Sequence, residues 1–326
     1  MKWFLRMLGA LVALLIVLFL VFRTPDTDKA AMIAKYGGAP SQFVELDSGQ
    51  TFHVRDEGSG EGPPIVLIHG ANSSLHTWDG WAKALTPNHR VIRFDTVGHG
   101  LTGEAVDGDY SKERYVADLD ALADHFGLER FVLAGNSMGG WMSASYAMAH
   151  PDRVAALALL DASGAPRKPD EGRVYLGATI AQTPVLNQVM TMITPRNLVR
   201  TSLEDSVGDA DAITDELVDR YWELLRYPGN RQAVVDRANT PRGGAFTPED
   251  VAGLTMPSLV MWGQLDQVTP ISGAEFYTQH LPSGTTILYD DLGHVPMEEA
   301  PERTSADFEK WLLNLTLTTQ ETEVTP

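Results

Sequence analysis

The stretch Phe131–Met148, FVLAGNSMGGWMSASYAM, constrains the rest of the chain more than any other. An apolar run from Phe131 to Ala134 leads into Gly135-Asn136-Ser137-Met138-Gly139, and Trp141, Ser145 and Met148 then recur at helical spacing. That order reads as strand, sharp turn and helix. A serine at the apex of so tight a turn is held in a strained backbone conformation, and glycines two before and two after it remove the Cβ atoms that would collide. The hydroxyl then stands clear of the sheet with the positive end of the following helix aimed at it. Ser137 is therefore a candidate nucleophile on a parallel-sheet scaffold.

The remaining strands follow from the same logic. Phe43–Leu46 and Phe52–Arg55, joined through Asp47-Ser48-Gly49-Gln50, predict an antiparallel hairpin at a sheet edge. Ile65–Ile68 is a short continuous apolar run, as a strand shows when helices cover both faces. It ends in His69-Gly70-Ala71-Asn72, where Gly70 lets the backbone turn so that the N–H of Ala71 faces a cleft. With the N–H of Met138, this makes a candidate oxyanion hole. Val91–Phe94 is the next strand. Asp95 and His99 after it read as a pair that orders the Gly98–Gly100 turn rather than as metal ligands, and Trp78 and Trp81 read as packing residues. Val154–Leu160 is a further buried strand ending at Asp161, a reserve candidate for a catalytic acid.

From about Ser163 to Leu254 the alternation of strand and helix stops. Helical fragments broken by Pro166, Pro169, Pro184, Pro195, Pro228 and Pro241 take its place, the clearest being Asp215–Arg226 behind an N-capping Thr214. This predicts a helical cap over 163–254, in which Met190, Met192 and Ile193 are candidates to line an apolar acyl pocket. The core resumes with the strand Ser258–Trp262, whose following loop carries Asp266 between Gly263 and Pro270. The last strand, Thr286–Tyr289, leads into Asp291-Leu292-Gly293-His294-Val295-Pro296. Pro296 cannot continue a strand, so His294 is held on a loop at the same sheet edge. Glu298 and Glu299 read as loop and helix-start residues. The core is expected over 42–162 and 255–315, with a terminal helix Ala306–Leu315 and a disordered tail over 316–326.

The N-terminus is a separate device. Met7 to Phe22 is sixteen residues without a charge, and with Trp3–Leu5 the run reaches the length a bilayer core requires. Bulky Leu20-Val21-Phe22 stands where a signal peptidase needs small side chains, so residues 1–23 read as an uncleaved anchor, with Ala30-Ala31 the alternative cleavage point. Lys2 and Arg6 before the span place the N-terminus in the cytoplasm and the folded part outside it, periplasmic in a Gram-negative cell. Residues 24–41 read as a polar linker. The net charge of −18 becomes −21 once Lys2, Arg6 and Arg23 are set aside, a surface that repels nucleic acid and anionic lipid, so neither is an expected partner of the folded part. With no cysteine, the chain has no disulfide, thiol nucleophile or thiolate zinc site.

Together, His69-Gly70, the turn at Ser137, Asp266 and Gly293-His294 resemble the α/β-hydrolase family, in the order nucleophile, acid, histidine that the family uses. The strings Gly-Asn-Ser-Met-Gly-Gly and Gly-His-x-Pro-x-Glu are most similar to its small capped esterases, C–C hydrolases and perhydrolases. The resemblance implies a mostly parallel sheet flanked by helices, a Ser137–His294–Asp266 triad with an acyl-enzyme intermediate, and a small-molecule ester as substrate. No metal or organic cofactor is called for. Cleavage of a C–C bond in a vinylogous diketone is the nearest alternative. Those hydrolases usually carry Trp after the histidine, where Val295 stands here, and no basic cap residue is evident to meet a dianionic substrate. Lactone hydrolysis shares the same chemical step. A membrane-tethered binding protein on the same fold is the alternative of another class, although no triad member is missing. Oligomeric state has no signature in the sequence.

Overall fold

The computed structural model describes all residues except 61, 169–170, 172–175, 242 and 324–326; Pro169, expected among the helix breakers, lies outside the described residues. The apolar runs become a single sheet of eight strands in the order β1-β2-β4-β3-β5-β6-β7-β8: β1 (Ser41–Glu45), β2 (Thr51–Glu57), β3 (Ile65–Ile68), β4 (Val91–Phe94), β5 (Phe131–Asn136), β6 (Val154–Leu160), β7 (Ser258–Gly263) and β8 (Gly284–Tyr289). β1 pairs antiparallel with β2, and β2 with β4; every other pairing is parallel. The hairpin expected at the edge is there.

Side-chain alternation along the inner strands feeds two cores. Val66 and Ile68 of β3 with Phe131 and Leu133 of β5 pack to one face. There they meet α4 (Lys112–His125), α5 (Met138–Ala149) and α12 (Ser272–His280). Ile65 and Leu67 with Val132 and Ala134 pack to the other, under α3 (Asp79–Leu85) and α14 (Pro301–Glu323). Trp78 and Trp81 are wholly buried in this second core, as packing residues. From β3 the chain steps outward to β4 and then returns to β5 on the other side. The reversal opens a crevice at the carboxyl ends of β3 and β5, where open α/β sheets bind ligands.

Between β6 and β7 the described chain forms helices: α6 (Leu176–Gln182), α7 (Leu186–Met192), α8 (Arg196–Glu204), α9 (Asp215–Leu225), α10 (Asn230–Asn239) and α11 (Pro248–Ala252). Thr214 caps α9 through its side chain, which accepts from Leu217 N. Three expectations need correction. The linker 24–41 contains the helix α2 (Lys29–Tyr36), capped by Asp28 and packed through Met32 on Leu101, Leu224 and Tyr227, so ordered structure begins before the sheet. The last helix runs to Glu323 rather than ending at Leu315, and of the expected tail only 324–326 lies outside the described residues. Met192 points outward, 44% exposed, instead of lining an internal pocket. The helix α1 (Lys2–Phe22) is apolar with no buried residue, and is long enough, at about 30 Å, to cross a bilayer.

Candidate active site

Ser137, Asp266 and His294 follow β5, β7 and β8 at the carboxyl edge, and Ala71 follows β3 there. Ser137 sits between β5 and α5 with φ 54° and ψ −117°, a strained region for any residue but glycine. The flanking glycines are required: a Cβ on Gly135 would lie 2.3 Å from the Gly139 carbonyl oxygen, and one on Gly139 would lie 2.2 Å from that of Ile68. Two further non-glycine residues with positive φ share this edge, Asn72 after β3 (58°) and Asp161 after β6 (44°). Gly70 packs directly against the turn, since a Cβ there would be 2.9 Å from Asn136 Oδ1 and 3.2 Å from Ser137 Cβ. Met138 opens α5, so its N–H has no carbonyl within the helix to accept it. The candidate donors Met138 and Ala71 thus follow directly in sequence on Ser137 and on the Gly70 packed against it.

His294 and Asp266 are brought together. His294 Nδ1 donates to Asp266 Oδ2 at 2.8 Å. Asp266 Oδ1 accepts from Val268 N at 2.6 Å and Thr269 N at 3.0 Å, and the Thr269 hydroxyl lies 2.6 Å from Oδ2. Asp161 is the neighbour of Asp266, on the adjacent strand, with the two carboxyls in hydrogen-bonding reach. It accepts only Gly263 N (2.9 Å) on Oδ1, and no N–H or O–H reaches its Oδ2. Burial, then the charge of Asp266, raises the Asp161 carboxyl well above the usual range. Two adjacent carboxylates cannot both ionise cheaply, so the one with more donors takes the charge. The donor count, two backbone N–H groups on Asp266 against one on Asp161, agrees with the raised carboxyl at Asp161.

The loop carrying His294 is fastened from three sides. Asn136, beside the nucleophile, donates through Nδ2 to the carbonyls of His294 (2.9 Å) and Leu160 (3.2 Å). His294 N donates to Ser206 O at 2.7 Å, a contact from the helical segment between β6 and β7. Glu299 accepts from the backbone N–H of Gly293 and of Gly208, and burial raises its carboxyl. Asn136 and Thr269 were not singled out from the sequence, and Glu299 was read there only as a loop or helix-start residue. Asn136 was readable only as the x of the motif, and the other two become meaningful through contacts made across the fold.

Asp95 orders its turn as expected, accepting from Leu75 N and Leu101 N (2.7 Å each) and from His53 Nδ1 at 2.7 Å. His99 does more. Arg237 of α10 donates through Nη1 to His99 Nε2 and lies 3.7 Å from Met138 Sδ, while its Nη2 donates to Asn72 Oδ1 at 3.0 Å. Arg237 is 4% exposed. The segment between β6 and β7 thus brings a cation to the side chains of Asn72 and Met138, where the sequence showed no evident basic cap residue. Its α10 position follows a break at Pro228-Gly229, and nothing in the local pattern shows which way that helix faces.

The family description alpha/beta hydrolase fold matches residues 63–188. The 2-hydroxy-6-oxo-2,4-heptadienoate hydrolase of Pseudomonas putida (strain F1) is 26% identical over 257 residues, covering 76% of this chain and 88% of that protein. Among solved structures, a meta-cleavage product hydrolase of Pseudomonas fluorescens IP01 superposes with a TM-score of 0.73 at 24% identity, covering 84% of this chain and 98% of that one. A membrane phospholipase A, described as a bacterial virulence factor, superposes with a TM-score of 0.74 at 24% identity over 97% of this chain and 99% of its own. With this sheet order, this strand-turn-helix at Ser137 and these matches, the chain has the α/β-hydrolase fold.

Proposed function

We propose that this chain is a membrane-tethered serine hydrolase of carboxylic esters, with Ser137 as nucleophile, His294 as general base and acid, and Asp266 as the triad acid. The observation that carries the reading is the 2.8 Å bond from His294 Nδ1 to an Asp266 carboxylate held by three further donors, on the loop that Asn136 ties to the nucleophile turn. In this mechanism His294 Nε2 takes the Ser137 proton as Oγ attacks the acyl carbonyl, and Asp266 holds the ring tautomer and stabilises the imidazolium. The N–H groups of Ala71 and Met138 receive the oxyanion, each worth about 3 kcal/mol in the barrier. Collapse expels the alcohol with the proton from His294, and water then releases the acid from the acyl-enzyme by the same steps in reverse.

In the same reading 1–23 is the anchor, 24–41 the connector, 42–162 and 255–315 the hydrolase core, and 163–254 a cap over Ser137, with the core outside the cytoplasm. The anchor is supported by the exposed apolar helix and by the extent of structural likeness. The membrane phospholipase A matches 97% of the chain, whereas the meta-cleavage product hydrolase matches 84%. A phospholipid or another acyl ester of low water solubility is the substrate this arrangement favours. C–C bond hydrolysis is the second reading. The named activity of the Pseudomonas putida relative favours it, as does the position of Arg237, a cation suited to a carboxylate-bearing substrate.

The test is the full-length protein in detergent with a fluorophosphonate probe, followed by a panel of p-nitrophenyl esters from acetate to palmitate, a phospholipid, a lactone and a vinylogous dienone. Labelling that disappears in Ser137→Ala, with ester turnover exceeding dienone turnover, is the expected result. Dienone turnover that exceeds every ester replaces the first reading by the second, and labelling that survives in Ser137→Ala removes Ser137 from the mechanism.

A further inference from the structure

The segment that follows the apolar helix is fastened to the helices between β6 and β7. Two residues past the end of α1, Thr24 N donates to Met192 O at 2.9 Å, and its Oγ1 accepts from Thr194 N at 2.7 Å. Arg231 of α10 holds the carbonyl of Thr24 (2.8 Å) and the carboxylate of Asp26 (2.6 Å). Thr27 N donates to Arg226 O at 2.9 Å, and Lys35 and Tyr36 of α2 both meet Glu223 of α9. Wherever α1 ends, the C-terminus of α7 lies within one hydrogen bond of the chain leaving it.

That same helix exposes an apolar face. Leu186 (50% exposed), Val189 (44%) and Met192 (44%) recur three residues apart along it, and Val185 (74%), at positive φ, stands just before its first turn. From Leu176 to Pro195 the chain carries no Asp, Glu, Lys or Arg, in a protein that is 21% charged with a net charge of −18. The uncharged run of similar length, Phe131–Pro151, is mostly buried as β5 and α5. An uncharged, exposed aliphatic helix face on an acidic protein is costly in water and suited to the interface of a bilayer.

We propose that the α7 face Val185–Leu186–Val189–Met192 is a second membrane contact, inserted into the headgroup and acyl boundary of the bilayer that α1 spans. The inference rests on the reading of α1 as a membrane span, because the Thr24–Met192 bond is what fixes α7 at the depth where that span ends. α7 packs on α6 and α10, and α10 carries Arg237 to the nucleophile turn. The contact therefore seats the helices beside Ser137 on the lipid, and a long-chain acyl ester would reach the site from the bilayer rather than from water.

The absence of cysteine allows a direct measurement on the full chain, since any introduced thiol is unique. Three single variants, Val189→Cys on α7, Leu14→Cys on α1 and Leu313→Cys on the exposed side of α14, are labelled with an environment-sensitive fluorophore. They are reconstituted in zwitterionic phosphatidylcholine vesicles, so that the acidic surface of the folded part meets no like charge. Quenching is read from a nitroxide on the lipid acyl chain and, separately, from aqueous iodide. The expected result is quenching of positions 14 and 189 by the lipid nitroxide, and of position 313 by iodide alone. If position 14 is quenched from the lipid while 189 behaves as 313 does, the α7 contact is overturned and the anchor stands. If position 14 is not quenched from the lipid, the anchor reading fails and takes the α7 contact with it. Shielding of position 189 from both quenchers means that protein, such as a second copy of the chain, covers the face, and this too overturns the proposal.

Discussion

The carboxyl edge of the sheet and the helices between β6 and β7 meet over Ser137 but are built on different rules. At the edge each side chain of interest follows a strand whose position the hydrogen-bond ladder fixes, and the loops are short and crowded by backbone. Gly135, Gly139 and Gly70 have no room for a Cβ. In the helical segment the contacts that matter come from helix faces, as with Arg237, and from carbonyls at helix ends, as with Ser206 O on His294 N. The edge sets which reaction can occur, and the helices set which molecule enters and from where. The largest consequence is for Ser137→Ala, which is expected to lower kcat by about five orders of magnitude without changing the far-UV circular dichroism. A comparable loss of rate on removing any single helix-segment side chain would break the division.

Asp161 and Asp266 compare the two strand ends within the edge itself. Asp266→Asn keeps the volume but presents His294 with the wrong partner, and should cost about three to four orders of magnitude in kcat. Asp161 already holds its proton, so Asp161→Asn should change kcat by less than about tenfold. Steady-state rates of the two variants on one ester decide the matter. A larger loss in Asp161→Asn would transfer the triad acid to β6.

From the helical side the expected effect is smaller and depends on the substrate. Arg237→Gln removes a cation beside Asn72 and Met138, so kcat/KM for an ester with a carboxylate near the acyl carbonyl should fall by about 10 to 100-fold more than for its neutral analogue. Equal losses on both would make Arg237 a brace for His99 and the oxyanion loop.

The same contrast explains what could be read in advance. The strand ends, the strained turn at Ser137 and the pairing of Asp266 with His294 were legible because a buried strand shows as an apolar run and a sharp turn shows as glycines, both local properties. The choice of Asp266 over Asp161 rested on its loop between Gly263 and Pro270, and in the structure Val268 N and Thr269 N of that loop reach Asp266. Arg237 was missed because a helix rich in charge, NRQAVVDRAN, shows no face that marks it as cleft-lining. The helix at Lys29–Tyr36 was missed because its stabilising partners, Glu223, Leu224 and Tyr227, lie nearly two hundred residues away.

The last difference between the regions concerns stability, and leaves turnover untouched. Ion pairs of the helical segment, such as Arg196 and Arg200 with Asp215, lie at the surface, where solvent screens them. In the core, α4 buries Asp118 beside Arg114. Arg114 gains from the pairing, with Asp118 on one side and Asp107 on the other, and its guanidinium is held more firmly charged. Asp118 does not: its burial outweighs the single cation, and its carboxyl is raised to about 6. An acid whose folded value lies above its unfolded one binds more protons folded than unfolded between the two values. Folding is therefore favoured at the acid end of that window and loses stability as pH rises from about 4 to about 6, by up to about 3 kcal/mol. Asp118→Asn should flatten that part of the stability curve in urea unfolding at stepped pH, while Asp215→Asn leaves its shape unchanged. A curve equally steep in Asp118→Asn would mean that Arg114 keeps the Asp118 carboxylate ionised throughout.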